Sequence, residues 1–266
     1  MDQQRASVGA LIRRYGKSRS FLFGWWSLAT LFAGVSVFVL ALIPRIGKNG
    51  LNFSGDVSIL YATGLGGLAI GVLLAVLPWL LVRSQPTYHL HEHAVRSVGP
   101  KGDRTDFYRD IEDLYIFQYG GFAYRANEQA PWCSAGARIS GFADLTQRLR
   151  NLHAQHRVEQ LYRSLVEGRT VSFRCLSDQV ASSKSMVASR NMNHPMHLLE
   201  LSRGALTVRG KSLPIQRLAD IQHNGWTEKL NIMDTDGQVF HRMHPTAVMS
   251  FDVLYQLLAR LKASGA

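Results

Sequence analysis

Three histidines alternate in the run HLHEH: His89, His91 and His93. On an extended strand, residues two apart share a face, so the three imidazoles would project together. Such a face carries the donors that zinc or copper take. The competing reading is the solvated side of a strand whose Tyr88 and Leu90 point inward. A metal needs converging ligands, which alternation alone does not supply, so no metal or cofactor is assigned. The second reactive group is Cys133 in PWCSAG, which with one of the ten histidines could form a thiolate nucleophile and its base. A lone cysteine with a free choice of histidine arises easily by chance, so no catalytic residue is assigned.

Other chemistry is sparse. The sequence contains no G-x-S-x-G, no H-E-x-x-H, no phosphate loop ending in GK[ST] and no C-x-x-C. The MNHPMH stretch reads as linker. The basic residues Arg83, Arg96, Lys101 and Arg104 fall just after the second apolar segment. They could meet anionic headgroups, at about 1 kcal/mol per basic residue near the surface. The competing reading is a solvated hairpin turn.

The elements that would position these residues divide sharply by composition. Phe21–Pro44 and Val57–Val82 run without a charged side chain, and each exceeds the roughly 20 residues needed to cross a bilayer. Neither has a polar face. Trp25, Trp26, Tyr61 and Trp79 sit where interfacial aromatic belts form. The short connection makes the segments an antiparallel hairpin over 21–82, with helices at about 21–44 and 57–82. No ionisable side chain lies within either, so an anchor is expected rather than an ion path. The first ends in LIPRIG without a small-residue cleavage site and is expected to be retained. Gly67 and Gly71 form a G-x-x-x-G that suits helix packing, most simply of one span against the other.

Residues 1–20 hold Arg5, Arg13, Arg14, Lys17 and Arg19 against Asp2 alone, and are expected to form a basic N-terminal tail. With the positive residues after Arg83, they predict a multi-pass protein of the cell (inner) membrane with both termini cytoplasmic. The formal charge of +11 would suggest nucleic acid as a partner. Much of it flanks the apolar segments, and no Arg/Lys run follows them, so nucleic-acid binding is not expected. Cys133 and Cys175 lie far apart, which fits reduced thiols rather than a disulfide framework.

After the second segment the pattern is period-2 strands, repeated once. Tyr88–His93 and Leu198–Leu201 each open a strand pair, and Asp110-Ile111 and Asp220-Ile221 recur after a basic turn. Phe142, Leu145, Leu149 and Leu152 return as Phe251, Leu254, Leu258 and Leu261, one apolar helix face at a constant offset. Ser140 and Ser250 are the expected N-caps. The reading is α+β: a transmembrane hairpin followed by two small units, each an antiparallel sheet with a C-terminal helix. The units span 86–153 and 197–263, with a helix, strand and irregular connector over 154–196.

This order resembles the pleckstrin-homology-like (PH-like) superfold, and in particular a bacterial membrane-protein family with two PH-like halves. The residues that carry the resemblance are Gly168, Val171 and Phe173 in GRTVSFRC, Leu206–Val208, Ser212–Pro214, Ala219–Ile221 and the helix from Phe251 to Leu261. It covers roughly residues 86–263 and implies the fold, but transfers no catalytic residue. The expected function is a non-enzymatic, membrane-anchored binding or scaffold protein that takes a protein partner through residues 86–263. The alternatives are a membrane-anchored inhibitor or immunity-type protein against a bacterial toxin, and a hydrolase using Cys133. Lipid binding by the units and the oligomeric state stay open.

Overall fold

Ser18 opens the first apolar helix by accepting a hydrogen bond from the Phe21 N–H at 3.3 Å. This is α1 (Arg19–Leu42), followed by a 3₁₀ turn over Ile43–Arg45 that contains Pro44. Asp56 caps α2 (Val57–Arg83) in the same way, accepting from the Ser58 N–H at 2.9 Å. The computed structural model describes residues 8–46, 55–100, 102–117, 120–136, 138–181, 194–224 and 229–264. Asp2, Arg5 and Lys101, singled out above, and the first two residues of the MNHPMH stretch lie outside the described residues.

Both helices are long and apolar enough to cross a membrane. They pack through the glycines of α2. A Cβ at Gly67 would collide with Ser36 Oγ, and one at Gly71 would lie 3.3 Å from the Ala29 carbonyl oxygen. At Gly66 a Cβ would meet nothing within 4 Å, so the close approach belongs to one side of α2. The Trp26 indole N–H adds a bond to the Ala75 carbonyl at 3.3 Å.

The remaining residues, with those before Gly16, form a separate compact unit built of two similar halves. In the first half, β1 (Leu11–Tyr15), β2 (Thr87–His91), β3 (Ala94–Gly99) and β4 (Gly102–Phe107) make a four-stranded sheet in that order. A three-stranded sheet follows, β5 (Asp113–Ile116), β6 (Gly121–Arg125) and β7 (Cys133–Gly136), and then α3 (Phe142–Val166). The second half repeats this. β8 (Val171–Cys175), the short α4 (Asp178–Ala181), β9 (His197–Leu201), β10 (Ala205–Val208) and β11 (Lys211–Pro214) come first. In their sheet the order is β11-β10-β9-β8, with β8 at the edge. Then come β12 (Leu218–Asn224), β13 (Lys229–Asp234), β14 (Val239–Met243) and α5 (Phe251–Ala263). All pairings are antiparallel.

The α+β class holds, but the halves begin earlier than expected. The segment read as a basic tail supplies β1, with Arg14 opposite His89 and Tyr15 opposite Tyr88. The apolar hairpin is therefore an insertion between two paired strands of the first half, not a leader to it. Likewise β8, placed in the connector by sequence, pairs with β9 from Val171–Leu201 to Cys175–His197 and opens the second half. The Asp-Ile pairs are not equivalent. Ile111 follows the 3₁₀ turn Tyr108–Asp110, and its counterpart is Leu218, which follows Ile215–Arg217. Ile221 lies further on, within β12.

The helix match holds to the residue, since α3 begins at Phe142 and α5 at Phe251. The residues before them, Gly141 and Ser250, are both left-handed, with φ of 70° and 53°. Gly141 rather than Ser140 is the equivalent of Ser250.

Each half has its own core. Tyr88, Leu90, Phe122, Tyr124, Leu145 and Leu149 belong to the first. Phe173, Leu199, Leu206, Leu254 and Leu258 belong to the second. A third cluster joins Tyr115, Phe117 and Ala123 of the first half to Leu176, Ala247 and Met249 of the second. It explains why β5 and β6 lack a polar face. Along β6, Phe122 and Tyr124 enter the first core while Ala123 turns into the seam between halves.

Candidate functional site

The seam is closed by polar contacts as well as apolar ones. The Ser250 side chain does not cap its own helix. Its Oγ accepts from the Leu114 N–H at 3.1 Å and donates to the Glu112 carbonyl at 2.9 Å, while the Ser250 N–H donates to the Leu114 carbonyl at 2.7 Å. Arg150 of α3 grips Asp252 of α5 with two bonds of 2.8 and 2.7 Å. Arg260 reaches Glu159 at 2.8 Å and covers the Tyr162 ring at 3.9 Å.

Beside this closed region the halves leave a cleft of about 890 Å³. Its first wall is Glu112, Arg125 and Glu128 of the first half. The opposite wall is the chain from Arg169 through β8, and α3 contributes Arg157, Leu161 and Ser164. At the bottom, Asp113 is 2% exposed and receives Arg125 Nε at 2.6 Å and Arg174 Nη1 at 3.0 Å. Arg125 lies over the Trp132 ring at 4.4 Å, and Arg174 also reaches Glu112 at 3.1 Å.

Burial alone would lower the Arg174 pKa, but Asp113 and Glu112 together hold it above the usual arginine value. Arg157 is treated differently. Burial lowers its pKa, only partly offset by Glu112, Asp110 and Asp113. Its Nη1 donates to the Arg109 carbonyl at 2.6 Å and to Gln160 at 3.2 Å. No carboxylate reaches it at ion-pair distance among the described residues. The cleft therefore holds a cation whose charge is not directly neutralised.

The residues singled out from sequence lie elsewhere. His89 and His91 share the outer face of β2, but the strand ends at His91 and His93 turns away. The His93 ring meets His156 edge-on at 5.3 Å, and His91 Nδ1 contacts the Gly9 carbonyl at 3.2 Å. His89 sits between Arg14 and Arg96 on the neighbouring strands. Burial first, and then these two arginines, lower its pKa and make the place unfavourable for a cation. No group of three or more His, Cys, Asp or Glu placed to hold a metal occurs among the described residues.

Arg96 and Arg104 are not brought together. Arg96 pairs with Asp103 at 2.6 Å on the outer face. Arg104 lies on the other face of the same sheet, bonded to Asp106 at 2.7 Å and to the Pro131 carbonyl at 2.6 Å. Arg83 ends α2 over the Trp79 ring at 5.1 Å.

Cys133 faces the Tyr88 hydroxyl at 3.6 Å, and no hydrogen bond joins it to a histidine among the described residues. Burial pushes the Cys175 thiol up to about 12, so it is not a thiolate at neutral pH.

Sequence reasoning missed the cleft, because Asp113, Arg125, Arg157 and Arg174 are scattered among ordinary charged residues. The usable signal was the apolar character of both faces of β5 and β6, which demands a second cover. Compared with known proteins, the chain matches no family model, and no curated protein matches it.

Proposed function

We propose that the protein is a membrane-anchored, non-enzymatic binding module, whose two PH-like halves engage a protein partner at the cytoplasmic face. The observation that carries this reading is the cleft between two otherwise tightly joined halves. An interface meant only for mutual support would close throughout, as it does around Ser250 and the Tyr115 cluster. Here a concave, arginine-lined wall is left open, and no nucleophile–base pair lies in it among the described residues.

The PH-like assignment is supported by the four-plus-three strand arrangement with a closing helix in each half. Membrane spanning is supported by exposure, since only 17% of each apolar window is buried, whereas a soluble core helix is mostly covered. It is supported again by connectivity. β1 and β2 flank the hairpin and pair with one another, so both hairpin ends must lie on one side. Two crossings satisfy this and one cannot. The positive-charge bias makes that side the cytoplasm.

The test is cross-linking in native membranes, followed by identification of captured proteins. The full chain is compared with residues 1–86 alone, which keep the hairpin and lose the cleft. The partner set should vanish with the truncation, and an unchanged set would sink the proposal.

A further inference from the structure

Strand β8 is the edge of its sheet, and its free side is only partly used. In a strand the N–H and C=O of one residue point the same way, and successive residues alternate. The Arg174 carbonyl accepts from the Met249 N–H at 2.9 Å, and the Leu176 N–H donates to the Ala247 carbonyl at 2.8 Å. Even-numbered residues therefore face away from β9, and residues 247–249 cover the end of that edge. Ser172 is next along it. Its N–H and C=O point along the same free edge with no backbone partner among the described residues, and its side chain is exposed where β8 lines the cleft.

Leu198, beside Arg174 in the register, leaves a large apolar surface uncovered on the adjoining strand. The cleft lining carries Arg125, Arg157, Arg169 and Arg174 against Glu112 and Glu128. Asp113 already satisfies Arg125 and Arg174. Arg157 has no direct ion-pair partner among the described residues, and the Arg169–Glu167 pair is solvent-exposed and correspondingly weak.

We infer that the cleft takes an extended acidic segment of a partner protein, which adds to the free edge of β8 beside Ser172 while its carboxylates meet Arg157 and Arg169. The inference rests on the binding-module reading and names its partner class. Main-chain bonds supply a sequence-tolerant part of the affinity in such strand addition, and flanking side chains supply the choice of partner. The arginines provide that choice here, since a basic segment would be repelled.

The experiment uses the full chain in detergent and two fluorescein-labelled peptides, (Glu-Val)4 and (Lys-Val)4, read by anisotropy. The acidic peptide should bind at least tenfold more tightly. Ser172→Pro removes the outward N–H without touching a bond to β9, and should weaken binding at least tenfold. N-methylating alternate residues of (Glu-Val)4 should weaken binding to the unaltered protein equally, a control that needs no variant to fold. Arg157→Glu with Arg169→Glu should reverse the preference between peptides. Equal affinity for both peptides, or indifference to both Ser172→Pro and N-methylation, overturns the inference. So does a Ser172-dependent dimer, which would make a second copy the occupant. If Ser172→Pro keeps the partners captured in membranes, strand addition fails while the binding-module reading stands.

Discussion

Asp113 and Arg174 stand 61 residues apart in sequence and on different halves, yet their side chains meet at 3.0 Å beneath the cleft. Asp113 is almost wholly buried and bonds Arg125 as well, while Glu112 also reaches Arg174, so two carboxylates share two guanidinium groups. Removing Asp113 takes the buried carboxylate from Arg125 and leaves Arg174 to the more exposed Glu112. Asp113→Ala should therefore cost about 3–5 kcal/mol, read as a fall in unfolding midpoint. A double-mutant cycle with Arg174→Ala should return a clear coupling energy, and simple additivity would show that the pair does not tie the halves together.

Ser250 offers a cleaner dissection of the seam. Its hydroxyl satisfies the Leu114 N–H and the Glu112 carbonyl, and its backbone is held at φ 53°. Ser250→Ala should destabilise by about 2–3 kcal/mol, because buried polar groups lose their partner. Ser250→Gly loses the same hydroxyl but relieves the left-handed backbone. Glycine should therefore be the milder change, and the reverse ranking in thermal unfolding would refute this account.

His153 makes stability depend on pH. It is fully buried on α3, its Nε2–H donates to the Ile111 carbonyl at 3.0 Å, and burial lowers its pKa to about 4. The unfolded chain keeps a value near 6.5. Between the two, the unfolded state binds a proton that the folded state refuses. Stability from this site is thus complete above pH 6.5 and lost progressively as pH falls toward 4, by about 3 kcal/mol in all. Denaturation midpoints measured across that range should follow this slope, and His153→Gln should flatten it.

Within the hairpin, glycines five residues apart should behave oppositely. Gly71→Leu drives a side chain into the α1 backbone at Ala29, whereas Gly66→Leu points into open space. The first should lower thermal stability in detergent and accumulation in membranes. The second should leave both near the unaltered level. Equal effects would mean that the helices do not meet through this stripe.

What the sequence made legible was whatever repeats locally. The two long apolar helices appear as unbroken apolar runs, and the helix faces beginning at Phe142 and Phe251 carry their own period. The rest was hidden by distance. β1 reads as a basic tail because LIRRY turns most of its side chains outward and finds its partner only after the whole hairpin. β8 was set apart from its half because the chain up to β9 is long. The cleft was hidden because Asp113, Arg125, Arg157 and Arg174 are drawn from four separate elements, and only the folded chain brings them to one cleft.

The placement of β1 also suggests a simple surgery. Tyr15 and Tyr88 are register partners, so a two-residue Asn-Gly turn can replace residues 16–87 and close an ordinary hairpin. The product should be water-soluble and unfold cooperatively, as measured by circular dichroism. An aggregated product would show that the hairpin is needed for more than attachment.

On the proposed two-span reading, the same insertion ties two acts of biosynthesis together. As the ribosome delivers the chain, β1 emerges first and has nothing to pair with until the entire hairpin has been made. Only when both helices have entered the bilayer does β2 arrive beside it. A chain stalled with one helix inserted would hold Tyr15 and Tyr88 on opposite sides of the lipid, and its first sheet could never assemble. On that reading, the β1–β2 pairing can close only after both helices have entered the bilayer, so assembly of the first half waits on insertion.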